Sequence, residues 1–243
     1  MKIAVLTINK AGESIARKLK ADFKNCAVMR LEKDEAKKVE KIFNDYDGLI
    51  FVSALGICAR LISPFIKNKL MDPAVVCVDT AARFAISLLS GHEGGANALT
   101  YLVAGYLGAQ PIITTGTEVH KKIILGIGCR RGINADKVKN AILSTLKKTQ
   151  ISLDKIRLIA TIDLKKKEAG LIKACSELNL PLVFIPKEDI ANFKSVSLSE
   201  VVKRYIGLDG VCEPVAILVG KKAKLICQKQ AINGVTVAVA KEN

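Results

Sequence analysis

The chain has 243 residues, half of them hydrophobic, with few aromatics, no tryptophan and a net charge of +15 at neutral pH. That length allows one large domain or two modest ones with their own cores, and the absence of any apolar run near the ~18 residues needed to cross a bilayer excludes a membrane-spanning helix. Seven scattered cysteines, with no Cys-x-x-Cys pair, exclude a structural zinc module or disulfide framework and fit reduced thiols in a cytoplasm.

Taken in order, residues 2–8 predict a first strand, Gly12 to Asp22 a helix and Cys26 to Leu31 a second strand. Asp34 starts a charged amphipathic helix, and Gly48 to Val52 is a continuous apolar run of the kind buried on both faces of a parallel sheet. Ser53 to Arg60 turns into a short helix ending near Pro64. Open α/β sheets bind ligands outside the carboxyl ends of their strands, so Gly56 and Arg60 are expected near a site. Asp72 to Asp79 is a further strand, Phe84 to Leu89 an apolar run, Ala96 to Leu107 a helix and Pro111 to Thr115 a last strand. Asp79, Thr114 and Thr115 end strands and are placed with the cleft.

A second unit begins at about residue 121. Strands are predicted at 123–127, 156–162, 181–185, 224–227 and 235–240, and helices at 134–148, capped by Asn134, at 165–178 and at 197–206, with a short one started by Glu213 and Pro214. Together these elements predict two α/β domains, three-layered with mostly parallel sheets, over 1–120 and 121–243.

The stretch Leu88-Leu89-Ser90-Gly91-His92-Glu93-Gly94-Gly95-Ala96-Asn97 is the most unusual in the chain. Gly91, Gly94 and Gly95 permit positive φ and close approach of backbone amides to a ligand, and the amides at the following helix start favour an anion. His92 is a residue type suited to general acid–base work, and Glu93 beside it can act as base or orienting partner. Ser90 or Asn97 is expected to cap the helix. The spacing is neither a phosphate loop nor a dinucleotide fingerprint; the plainer reading is a glycine-rich turn holding a histidine.

Charge is uneven. Residues 1–120 carry 15 Lys and Arg against 12 Asp and Glu, and residues 121–243 carry 23 against 11, giving +3 and +12. A basic half suits a polyanion, although runs such as Lys165-Lys166-Lys167 are equally well read as solvated surface.

The order of motifs resembles the CbiG family, cobalt-precorrin-5A hydrolases of the anaerobic cobalamin pathway. In the first half the likeness rests on Asp72-Pro73-Ala74-Val75-Val76, on Leu88 to His92 with Gly94 to Asn97, and on Ile113-Thr114-Thr115. In the second it rests on Gly126 to Gly132, on Ala160 to Asp163 with Lys165 and Glu168, on Cys212-Glu213-Pro214, and on Lys229 with Gly234 to Ala238. Some members carry a segment between the two domains; this chain passes from Thr117 almost directly to Ile124 and resembles a compact form. The resemblance implies opening of a δ-lactone on a cobalt-containing tetrapyrrole and release of a two-carbon fragment as acetaldehyde, with cobalt carried by the substrate and no resident metal or cofactor. It implies His92 as general base or proton shuttle, Glu93 as its partner, and amides around Gly94-Gly95-Ala96 as the oxyanion site, with Gly91 and Asn97 beside them. Arg130 and Arg131 are expected to meet the substrate's carboxylates. Glu213 is a rival base or a substrate contact, and Lys165, Glu168 and Lys229 are weaker candidates; His120 is expected to be exposed and uninvolved. The partners implied are water and a polycarboxylate tetrapyrrole, with no nucleic acid and no membrane, and apolar surface leaves room for a homodimer. Two other classes stay open: a non-catalytic tetrapyrrole carrier, and a nucleic-acid-binding protein, which lacks a recognisable binding module.

Overall fold

The structure is a computed structural model that describes residues 1–23, 25–32, 35–193 and 197–243, with the backbone alone at 117, 119 and 201. The expected helix start at Asp34 lies outside the described residues. The chain divides into two compact units, Met1–Thr115 and Gly116–Asn243, whereas the sequence reading set the join at 120/121.

Unit 1 comprises β1 (Ile3–Thr7), α1 (Lys10–Asp22), β2 (Cys26–Arg30), α2 (Ala36–Asp45), β3 (Gly48–Val52), α3 (Leu55–Ile62) with a 3₁₀ turn at Ser63–Phe65, β4 (Ala74–Val78), β5 (Phe84–Leu89), α4 (Ala96–Leu107) and β6 (Gln110–Ile112). Its sheet runs β2-β1-β3-β4-β5-β6. Period-two alternation sorts the central strands between two cores. Val5, Ile50, Val52, Val76 and Val78 pack with Ile15 and Leu19 of α1 and Leu99 and Val103 of α4, while Leu6, Leu49, Phe51, Val75 and Cys77 pack with Val39 and Phe43 of α2 and Cys58 and Ile62 of α3. Burial on both faces is why 48–52 reads as one apolar run.

All pairings in this sheet are parallel except β4 with β5, where Val75 lies opposite Leu89 and Val78 opposite Ala85. Asp79 makes the tight reversal: its Oδ1 accepts the amides of Arg83 (2.7 Å) and Phe84 (2.8 Å). It is a turn-forming residue and not the cleft residue expected. Because β5 runs backwards, the turn after Leu89 lies at the edge where β4 begins, next to Asp72. Gly56, Arg60 and Asp79 lie at the opposite edge, so the expectation that they join the glycine-rich turn is overturned.

Unit 2 comprises β7 (Ile123–Cys129), α5 (Ala135–Thr149), β8 (Ile156–Ile162), α6 (Ala169–Glu177), β9 (Leu182–Ile185), α7 (Lys187–Ala191), α8 (Glu200–Ile206), α9 (Cys212–Leu218), β10 (Lys224–Ile232) and β11 (Val235–Lys241), with short 3₁₀ turns at Gly116–His120, Leu153–Lys155 and Asp163–Lys165. The sheet order is β10-β11-β7-β8-β9; β7, β8 and β9 are parallel, and β11 is antiparallel to both its neighbours. The helix expected at 165–178 begins only at Ala169, because residues 163–165 form the 3₁₀ turn and the Glu168 carboxylate is engaged elsewhere. Helix α9 lies so close on β7 that a Cβ at Gly126 would stand 1.8 Å from the Cys212 carbonyl oxygen.

Candidate active site

The turn between β5 and α4 is built by its glycines and by a buried polar network. Gly95 takes φ +85° and starts α4 without a side-chain cap. A Cβ at Gly94 would stand 2.5 Å from Ser90 Cβ, and one at Gly91 2.7 Å from Thr115 Cγ2. Neither Ser90 nor Asn97 caps the helix as expected. Ser90 takes φ +55°, and its Oγ is buried with no hydrogen-bond partner among the described residues. Asn97 is buried and faces away from solvent: its Oδ1 accepts from Ser87 Oγ at 2.8 Å, and its Nδ2 donates to Thr115 Oγ1 at 2.8 Å. Asn97 and Thr115 thus brace the turn from beneath, and Ser87, which sequence reasoning missed, completes the brace.

Two of the amides around the turn are engaged within it. Ala96 N donates to Ser90 O (3.2 Å) and Asn97 N to Gly91 O (2.9 Å), so the Ala96 amide is spent inside the turn and is not the oxyanion donor expected. His92 is exposed, with no hydrogen bond or ion pair to another described residue. Glu93 does not orient it; its carboxylate meets Lys69 Nζ at 2.8 Å. The Lys69 ammonium and Glu93's own amide hold that carboxyl below the usual range, and the carboxylate in turn raises Lys69. Both ends are exposed, so the pair contributes orientation more than stability.

In unit 2, Arg130 and Arg131 follow β7 and are exposed. Arg130 N donates to Gly234 O (3.2 Å) in the turn joining β10 to β11. The loop that carries both arginines is fastened by Glu168, 8 % exposed, whose Oε1 accepts from Gly132 N (2.9 Å) and Ile133 N (3.2 Å) while Oε2 pairs with Lys165 Nζ at 3.2 Å. Cys129, just before Arg130, has its thiol pushed up to about 11 by burial, against the opposing pull of Lys165; it is a poor nucleophile at neutral pH. Glu213 is only 1 % exposed. It accepts from Ser197 N (2.8 Å), Ser197 Oγ (2.7 Å) and Lys229 N (2.9 Å), which makes it a clasp joining α9 to β10 and to the segment before α8, and turns it away from the roles expected. Lys229 Nζ donates to Leu198 O at 2.9 Å, and His120 is exposed. Removing the clasp strands three part-buried donors, each at the low end of the about 1–3 kcal/mol that an unsatisfied buried donor costs. Glu213→Ala should therefore destabilise unit 2 by roughly 3 kcal/mol or more, measurable as a lowered denaturant midpoint, with Glu213→Gln less damaging.

Among the described residues, no group of three or more His, Cys, Asp or Glu is arranged to hold a metal ion, and no helix is long and apolar enough to cross a membrane.

Residues 37–118 match the family model described as cobalamin synthesis G N-terminal, and residues 123–240 match that described as cobalamin synthesis G C-terminus. The chain belongs to the CbiG family. Among its relatives, a protein of Priestia megaterium named cobalt-precorrin-5A hydrolase is 26% identical over 351 aligned positions, covering 98% of this chain and 94% of that one. The alignment is longer than the 243 residues here, so that relative carries residues this CbiG chain lacks; the two family models leave only 119–122 between them. A protein of the same name from Salmonella typhimurium LT2 is 40% identical over 129 residues, 49% of this chain and 37% of that one. The solved structure of CobE, a protein from the cobalamin (vitamin B12) biosynthetic pathway, is 28% identical, covers 50% of this chain and 91% of that chain, and superposes with a TM-score of 0.47.

Proposed function

We propose that this CbiG-family protein is a cobalt-precorrin-5A hydrolase, which opens the δ-lactone of its substrate and releases acetaldehyde to give cobalt-precorrin-5B. The observation that carries the reading is the match along 98% of the chain to a relative of that name. Within that match, the turn between β5 and α4 offers an exposed histidine that makes no hydrogen bond or ion pair to another described residue.

His92 takes a proton from water as the water oxygen adds to the lactone carbonyl. The amides of Gly94 and Gly95 serve the developing oxyanion, in place of Ala96. The acyl C–O bond then breaks, leaving an alkoxide on the extruded two-carbon unit and a carboxylic acid on the ring acetate, which gives up the second proton of the water to solvent. That alkoxide becomes the aldehyde carbonyl as the carbon–carbon bond to the ring breaks. The electron pair passes into the macrocycle, and the proton held by His92 returns to the product. Cobalt enters and leaves with the substrate, and no resident cofactor takes part. Arg130 and Arg131 receive rim carboxylates in bidentate geometry.

The test is anaerobic incubation of the purified protein with cobalt-precorrin-5A, following acetaldehyde together with the mass of the macrocycle. Both products are expected; binding without acetaldehyde would instead make the protein a tetrapyrrole carrier. Arg130→Ala and Arg131→Ala should each weaken substrate binding by roughly ten-fold and flatten its dependence on salt.

A further inference from the structure

Between the 3₁₀ turn at Ser63–Phe65 and β4, the chain forms a projecting loop. At its tip Leu70 and Met71 are 75 % and 77 % exposed, more than any other large apolar residue of unit 1. The tip is not slack. Both oxygens of the Asp72 carboxylate accept the Lys67 amide (3.0 and 3.1 Å), and Asn68 Oδ1 accepts the amides of Leu70 (3.0 Å) and Met71 (3.2 Å). The loop is also tied to the glycine-rich turn by the Lys69–Glu93 ion pair. Beside it opens a concavity of about 370 Å³ whose lining includes Phe43, Tyr46, Met71 and Lys67 together with the carboxylates of Asp47 and Asp72, which leaves the carboxylate-binding role to the exposed lysines of the tip and not to the concavity. An ordered loop therefore holds an aliphatic pair in water, with Lys67 and Lys69 just before it in the chain and the turn of His92 at its flank.

We propose that this loop is the wall on which the substrate's macrocycle lies: Leu70 and Met71 contact the ring face, and Lys67 and Lys69 receive carboxylates of its rim. The inference rests on the hydrolase reading and names the specificity element of that same site. Two arguments favour a small ligand here over a second protein. Two side chains are far short of the roughly 800 Å² that each partner gives to a stable protein interface. Two cations next to an exposed aliphatic pair also complement a flat apolar body edged with carboxylates. A rim carboxylate that draws Lys69 to itself releases Glu93 beside His92, so binding and preparation of the turn become one event.

The test uses the full chain and two ligands: cobalt uroporphyrin, an octacarboxylate macrocycle followed by its absorbance change, and cobalt-precorrin-5A followed by acetaldehyde. The double variant Leu70→Ser/Met71→Ser should raise the Kd for cobalt uroporphyrin roughly 10- to 100-fold, and raise KM by more than it lowers kcat. Its thermal midpoint should stay at the wild-type value, since both side chains are already in water. The conservative swap Leu70→Met/Met71→Leu should restore binding, and Lys69→Gln should raise KM on its own. Unchanged Kd and KM in the folded double variant would overturn the proposal. So would a wild-type dimer that the double variant loses, because the tip would then be a docking point for a second copy. If the wild type binds both macrocycles but yields no acetaldehyde, the hydrolase reading fails while the loss of binding in the double variant still supports the wall.

Discussion

His92→Ala is expected to reduce acetaldehyde release by about 10²- to 10⁴-fold, the usual contribution of a positioned general base. The fold should be unaffected, because the imidazole is exposed and the turn is held by other atoms: the Ala96 and Asn97 amides, the side chains of Ser87, Asn97 and Thr115, and the tight contacts at Gly91 and Gly94. A circular-dichroism melt that matches wild type, beside a single-turnover assay that does not, would assign the loss to chemistry. Added imidazole should recover part of the rate. Full turnover by the variant would remove His92 from the mechanism. Glu93→Gln should be milder than His92→Ala, since Glu93 is paired with Lys69 and meets the substrate only after that pair opens.

The largest expected effect on stability comes from a single methyl group. In Gly126→Ala the new Cβ would stand 1.8 Å from the Cys212 carbonyl oxygen, 2.8 Å from its carbon and 2.9 Å from Ala216 Cβ. Two of these three are backbone atoms at the start of α9, which cannot rotate away, so the helix must lift from β7. Ordinary overpacking costs about 1–3 kcal/mol; displacing a helix from a central strand should cost about 4 kcal/mol or more, a large share of a domain's ~5–15 kcal/mol. Gly116→Ala is the control, because a Cβ there meets nothing within 4 Å and should change stability by less than about 0.5 kcal/mol. Thermal unfolding of the two variants in parallel checks the pair. Comparable midpoints would mean that α9 does not bear on β7 as closely as described.

The layered α/β architecture was legible because buried parallel strands write themselves as unbroken apolar runs, as at Gly48–Val52. The direction of β5 was missed although its signal is present: only Asp79 to Arg83 separate it from β4, too few for a parallel crossover of a dozen residues. That omission misplaced Gly56, Arg60 and Asp79 relative to the glycine-rich turn. Ionic and polar partners were less legible, because a carboxylate's partner is set by tertiary proximity. Nothing near Glu93 in sequence points to Lys69, 24 residues away, or marks Glu168 as the fastener of a loop 36 residues earlier. Asn97 has the right residue type for a helix cap, but the half-buried Thr115 hydroxyl and Ser87 compete for it more effectively than the helix does. The exposed Leu70-Met71 pair follows two lysines in the sequence, Lys67 and Lys69, yet only the structure shows that its loop is held by hydrogen bonds and adjoins the turn.

The placement of β11 has a consequence for synthesis. It lies between β10 and β7, and Thr236 Oγ1 donates to Gly128 O across a separation of 108 residues. At ribosomal rates of roughly 5–20 residues per second, one flank of β7 waits about 5–20 s for its neighbour, long after the whole of unit 1 has emerged. During that interval a nascent chain carries an open strand edge of the kind that recruits other chains. Slow translation between β7 and β11, or shortage of a chaperone that shields such an edge, should therefore lower the yield of unit 2 selectively.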